Sequence, residues 1–421
     1  MFRIDHADGI PAAVAWRFIE TDECSSRVSS CMDQLALLDP PFACDRAPRS
    51  RLTSKAWSVT RRVCRAIASA LEWAMGAVSL AFGLAVLAAL PIAQFLSLGY
   101  LLEASGRVAR GGRIRDGWIG VRRAARVGGI VAGAFISLLP SRLVSSLATS
   151  AELIDPDGPT ARAWRIGLVL AIALTVFHVI GACARGGRLR HFAWPPGTWL
   201  WMILRLRRRG LYAESRDATW TFVESLQLPH YFRLGFLGFM GSAAWLAVPV
   251  TLLAVGRKVP PLGLLGALTL GIVATWLPFF QVQFAAEGRF GALFAGKPVR
   301  ERFRRAPWAF GLAFLLTVAA ALPLYLLKIE LVPREATWLP GLVFVLFLFP
   351  ARLACGWAYA RGGLREHRRH WAWRAIGRVA MVPVAAIYVA VVFLAQFTSW
   401  GGVLDFYEQH AFLLPVPFLG F

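Results

Sequence analysis

Eight long apolar runs joined by loops leave this chain few ways to fold. They lie at about 67–102, 127–149, 166–184, 234–256, 262–286, 308–327, 339–360 and 379–398. A bilayer core ~30 Å thick takes roughly 20 apolar residues per crossing helix. Backbone N–H and C=O groups find no partners in lipid, so such runs become helices whose hydrogen bonds close within the segment. Runs and loops use nearly every residue from 66 to 398, which leaves no room for a large soluble domain. The expected fold is an all-α polytopic bundle of about eight spans. An N-terminal tail at 1–65, partly disordered and basic near the membrane, and a short tail at 399–421 flank it.

The charge is distributed unevenly. A formal net charge of +22, nearly all of it arginine, would suggest nucleic acid in a soluble chain. Here the arginines sit between apolar runs. Loops 103–126, 185–233, 287–306 and 361–378 hold seven, nine, six and six Lys and Arg residues. The alternate loops 150–165, 257–261 and 328–338 hold two each, and the 399–421 tail holds none. Such an asymmetry over short loops is the positive-inside signal. It places the first set in the cytoplasm of a bacterial inner membrane and the acidic 152–157 segment outside. Nucleic acid is not expected as a partner.

The N-terminal end is harder to place. Asp5, Asp8, Glu20 and Asp22 break any early apolar stretch, so the first span is expected to serve as the insertion signal. Run 67–102 is long for one span and short for two, and Pro91 interrupts it. One tilted, kinked helix would put the basic residues at 46–65 outside, against the charge rule. A run that doubles back would keep them inside. Both readings stay open on sequence. The six cysteines contain no CxxC pair and read as free thiols, with Cys183 and Cys355 packing between helices.

Ala-Arg-Gly-Gly occurs at 109–112, 184–187 and 360–363. A glycine there can end a helix in the left-handed conformation, and arginine in the last turn complements the helix dipole. The plain reading is a helix stop at the interface; the sharper one is a duplicated unit. In loop 185–233, two tryptophan-rich turns precede Arg205, Arg207, Arg208 and Arg209. Interfacial helices are expected at 195–230 and at 103–126, with basic residues over anionic headgroups. The candidate headgroup contacts are Arg110, Arg185, Arg205, Arg207, Arg208, Arg209 and Arg361.

Ionisable and amide groups inside apolar runs point to function, because lipid does not solvate them. Glu72, Glu103, Arg142, His178, Gln281 and Arg352 are the candidates, with Gln94 and Gln283 as further hydrogen-bonding groups. Glu72, Glu103 and His178 are the expected partners for Arg142 and Arg352, each of which follows a proline by two residues. These groups either join helices or line a solute path. Prolines 91, 140, 249, 278, 323, 350 and 383 recur within spans, as in many membrane helices. No HExxH or GxSxG is present. Gly291 to Lys297 has phosphate-loop spacing, but Pro298 stands where the magnesium-binding Ser/Thr belongs. His367 and His370 lie among arginines that repel a metal cation. No catalytic residue, cofactor or metal is expected.

Two stretches carry a resemblance. One runs from Leu90-Pro91 through Gly99-Tyr100-Leu-Leu-Glu103 to Asp116-Gly-Trp118. The other runs from Ala286-Glu-Gly288-Arg-Phe-Gly291 to Arg304-Arg305-Ala-Pro307. Both are similar to a family of prokaryotic polytopic membrane proteins known only as a domain of unknown function. The resemblance covers about a quarter of the chain and implies a membrane protein without naming an activity. The expected function is non-enzymatic contact with lipid or envelope proteins through arginine-rich cytoplasmic loops. The rival is a transporter or permease using Arg142, His178 and Arg352.

Overall fold

The computed structural model describes residues 51–156, 158–206, 211–329 and 338–395. The expectations for the tails at 1–50 and 399–421 lie outside these residues. The described residues from Ala66 onward form one compact unit. The chain is all-α, and eight helical segments among the described residues are long and apolar enough to cross a membrane. It is a multi-pass membrane protein.

Helix α1 (Arg51–Ala89) ends just before Pro91. Residues 90–93 form a turn, and α2 (Gln94–Gly111) follows. Helix α12 (Trp338–Leu364) gives the direction of both. Near its start, Gly341 lies against the Ala85 carbonyl. Two turns later, Phe349 meets Trp118, whose ring centroid is 5.0 Å from that of Trp73. Moving along α12 therefore means moving backwards along α1. On α2 the order is forward: Tyr100 faces Phe349, Ser105 faces Gly356 and Gly112 faces Leu364. The 67–102 run therefore doubles back, and α1 and α2 are antiparallel.

Helix α2 was expected to emerge into an interfacial helix at 103–126. It instead stays inside the protein to Ala109, and only 112–120 lies at the bundle end. Ser97 to Gly106, Val108 and Ala109 are all buried. Eighteen residues rise ~27 Å, close to a full crossing. Three charges keep α2 from reading as a span, and burial by neighbours removes the need for it to be one. Those neighbours are α8 (Leu228–Val255), α9 (Pro260–Glu287) and α12.

Membrane helices gain little from the hydrophobic effect when they meet, so close packing holds them together. Glycine makes that approach. A Cβ on Gly99 would sit 1.8 Å from the Tyr231 carbonyl oxygen, and one on Gly235 1.9 Å from that of Phe95. Gly106 meets Ala285 of α9 in the same way.

Helices α3 (Val121–Ile154) and α4 (Pro159–Ala184) form a second pair. They are capped by the short α5 (Leu189–Ala193) and α6 (Pro195–Leu206). The main core cluster takes nothing from this group. Within α4 only Ala161, His178, Gly181 and Ala182 are buried, and its large apolar side chains face outward. Helix α7 (Leu211–Ser225) leads to α8. Helix α10 (Gly296–Arg305) lies between α9 and α11 (Pro307–Ile329), and α13 (Trp371–Ala395) closes the bundle.

If the α2–α8 approach needs glycine, Gly99→Val will lower the thermal midpoint in mild detergent, at an overpacking cost of ~1–3 kcal/mol. Gly83 has open space around it and supplies the control. Equal midpoints for Gly99→Val and Gly83→Val would refute the packing argument.

Candidate functional site

The loops predicted to be basic meet at one end of the bundle. There, three helix-to-helix connections share one backbone course. Gly112 is left-handed, Arg113 extended, and a 3-10 turn at Ile114–Gly117 follows. Gly288 is left-handed, Arg289 extended, and a 3-10 turn at Phe290–Phe294 follows. Gly187 is left-handed, Arg188 extended, and α5 follows. The left-handed glycine caps the preceding carbonyls at no Cβ cost. In each case the arginine is exposed. Apolar groups after it turn inward: Leu293 and Phe192 are buried, and Trp118 packs on Phe349.

The Ala-Arg-Gly-Gly reading therefore holds at 109–112 and 184–187 and fails at 360–363. There α12 stays helical to Leu364, because Gly362 serves as a contact surface. Its Cβ would stand 2.6 Å from the Arg302 carbonyl oxygen. Gly288-Arg289 supplies the third turn, without the tetrapeptide.

Helix α10 builds the densest part of this end. Arg302 stacks on Tyr359, its Cζ 3.8 Å from the ring centroid, and donates to the Tyr359 carbonyl. Glu301 accepts two hydrogen bonds from Arg368, at 2.8 and 3.1 Å. Arg305 and Arg365 each donate to the other's carbonyl at 3.2 Å, and the Arg369 N–H donates to the Arg304 carbonyl at 3.0 Å. The Arg368 hydrogen bond holds the Glu301 carboxyl below its ordinary value, and the Arg368, Arg305 and Arg304 charges add to this. Burial first, then the Arg369 and Arg361 charges, lower the Arg365 pKa. The result is a stitched shelf carrying a dense excess of arginine. Sequence reading missed Arg302 and Glu301, although the i, i+3 and i, i+4 spacing of Glu301 to Arg304 and Arg305 was visible.

A second cluster surrounds Glu103. Its buried carboxylate accepts from Arg107 at 3.0 Å and from Arg110 at 2.9 Å, and His230 lies 3.4 Å away. Arg110 also donates to the Ala285 and Ala286 carbonyls, at 2.8 and 3.2 Å. These are orphan carbonyls at the end of α9. Arg110, expected on headgroups, thus joins α2 to α9.

The other intramembrane candidates do not converge. Glu72 is exposed beside Trp73, whose partner Trp118 lies at the basic end. Arg142 is exposed and passes over Phe135. It stands 21 residues along α3, or ~31 Å, and therefore reaches the opposite interface. His178 is buried in the second helix pair, with Nε2 3.0 Å from the Phe192 carbonyl and its ring beside Trp199. Arg352 alone meets another candidate, because its guanidinium donates to Gln281 Oε1. Gln281 then donates to Ser242 Oγ, which donates to the Gly238 carbonyl at 2.7 Å. The chain of donors crosses α12, α9 and α8, and every side chain in it is buried. The partners expected for Arg142 and Arg352 are corrected: Glu103 is engaged by Arg107 and Arg110, Glu72 and Arg142 lie at interfaces, and His178 belongs to another helix group. Gln283 is fully buried and its amide has no hydrogen-bond partner among the described residues.

Among the headgroup candidates, Arg185 is exposed after α4, and Arg361 is exposed over Trp357. Arg205 is half-buried at the end of α6. Arg207, Arg208 and Arg209 lie outside the described residues. Among the described residues, no three His, Cys, Asp or Glu side chains come together to hold a metal ion.

Comparison with protein-family models, curated proteins and solved structures finds no match.

Two tests follow. Gln281→Leu removes one acceptor of the buried Arg352 guanidinium and should cost ~1–3 kcal/mol in stability. Arg352→Met combined with Gln281→Leu should recover part of that loss, and an additive double variant would contradict the pairing. The second test is pH. A depressed carboxylate stabilises above its unfolded pKa of ~4.3 and loses that contribution as pH falls through the lower folded value. The thermal midpoint of wild type should exceed that of Glu301→Gln at pH 7, and the gap should narrow as pH falls below the unfolded value of ~4.3. A gap that is constant from pH 7 to 3 would refute the assigned charge pairing.

Proposed function

We propose that this chain is a non-enzymatic protein of the bacterial cytoplasmic membrane. Its basic end lies on the cytoplasmic side and gathers anionic lipid headgroups or membrane-protein partners. The observation that carries the reading is the collection of exposed Arg113, Arg188, Arg289 and Arg300 with the α10 shelf at one end of the bundle. Retention of arginine on the cytoplasmic side supports the orientation. The doubled-back first run supports it too, since the Trp73 end of the first span then faces the same side as the arginine-rich loops. Each basic residue near the surface adds ~1 kcal/mol of attraction for anionic lipid. Guanidinium forks also match phosphate oxygens in geometry. No observation favours the transporter alternative, whose three residues lie in separate environments.

The test is lipid composition. Extracting the protein with its surrounding bilayer from vesicles containing phosphatidylglycerol and phosphatidylcholine should enrich the anionic lipid. Replacing Arg113, Arg188, Lys297 and Arg300 by glutamine should cut that enrichment at least about fivefold, the effect of ~1 kcal/mol. Unchanged enrichment in the folded variant would refute the proposal.

A further inference from the structure

A long apolar groove runs between α9 and α13. Its volume is about 1060 Å³. Ala267 and Gly271 on α9, with Ala385 and Ala386 on α13, form part of its wall. Arg257 stands at one mouth and Arg378 at the other. Helix α13 lines it from Arg378 to Phe393, which at 1.5 Å per residue is ~22 Å. One leaflet of the hydrocarbon core is half of ~30 Å. The groove is therefore longer than one leaflet is deep, and it runs along the helices.

We infer that this groove holds a phospholipid, with an acyl chain along the α9–α13 wall and the phosphate on Arg378. Arg378 is exposed about two turns into α13 from the basic end, and its guanidinium passes over the Phe303 ring with Cζ 5.8 Å from the centroid. Packing against Phe303 steers the cation at the groove mouth, at headgroup depth. Small side chains keep the wall concave, which suits a flexible chain. A second copy fits less well. A twofold contact through this groove would bring two Arg378 side chains to the same depth, where like charges repel. The inference shares with the proposed function only the side on which Arg378 lies.

Native mass spectrometry of the full chain, with phosphatidylglycerol or phosphatidylcholine added in mild detergent, tests this. Wild type should retain one phospholipid after others are stripped. Ala386→Trp fills the groove from an exposed position and should lower that retention at least tenfold, with the thermal midpoint measured without lipid unchanged. Arg378→Gln should lower it less, about fivefold. Equal retention of both lipids, lost together in Ala386→Trp, supports the groove and counts against the anionic preference of the proposed function. Retention unaffected by Ala386→Trp overturns the groove and leaves that function standing. A wild-type dimer that Ala386→Trp dissociates assigns the groove to a second copy and overturns the lipid.

Discussion

A helix carrying a carboxylate and two arginines can lie at membrane depth only if protein surrounds it. Helix α2 meets that condition, and much of the fold depends on it. Glycine contacts bring α8, α9 and α12 close enough to exclude lipid from its apolar turns. Glu103, Arg107 and Arg110 then meet near its end, where Arg110 also closes the last carbonyls of α9. Charge in α2 therefore acts as a fastener between helices. Enclosing α2 also requires the chain to turn at 90–93, and that turn carries α2 back to the end of the bundle where Trp73 lies.

The basic end has a repeated construction. Left-handed glycine, extended arginine and a short inward-packing turn occur three times, after α2, α4 and α9. Each copy stops a helix, exposes a guanidinium and covers the bundle end with an apolar residue. Helix α10 extends this surface, held to the 365–369 segment by the Glu301–Arg368 pair and by hydrogen bonds to backbone carbonyls. Buried polarity does a different job. The path from Arg352 through Gln281 to Ser242 satisfies strong donors inside the core and joins three helices, with no ionisable acid among its links.

Much of this was legible in the sequence, for identifiable reasons. Spans follow from apolar length alone, and six of the seven span prolines indeed sit inside helices. The seventh, Pro91, stands in the reversal, and nothing local distinguishes a turn there from a kink. The burial of α2 was hidden because its three charges imitate an interfacial helix. Gln281 was singled out, yet its partner lies 71 residues away, a link that no spacing rule supplies. The Ala-Arg-Gly-Gly motif misled at 360–363 because glycine serves two purposes. It can relax a backbone or clear a contact, and only the neighbouring Arg302 decides which.

The central claim is that the first apolar run goes in and comes back. Single cysteines at Ser69 and Arg115, in a background without other cysteines, measure it most directly. Both should react with an impermeant thiol reagent from the same face of sealed vesicles, and a cysteine at Arg257 should react from the other. Labelling of position 69 from the face of position 257 would mean a single crossing and would contradict the account.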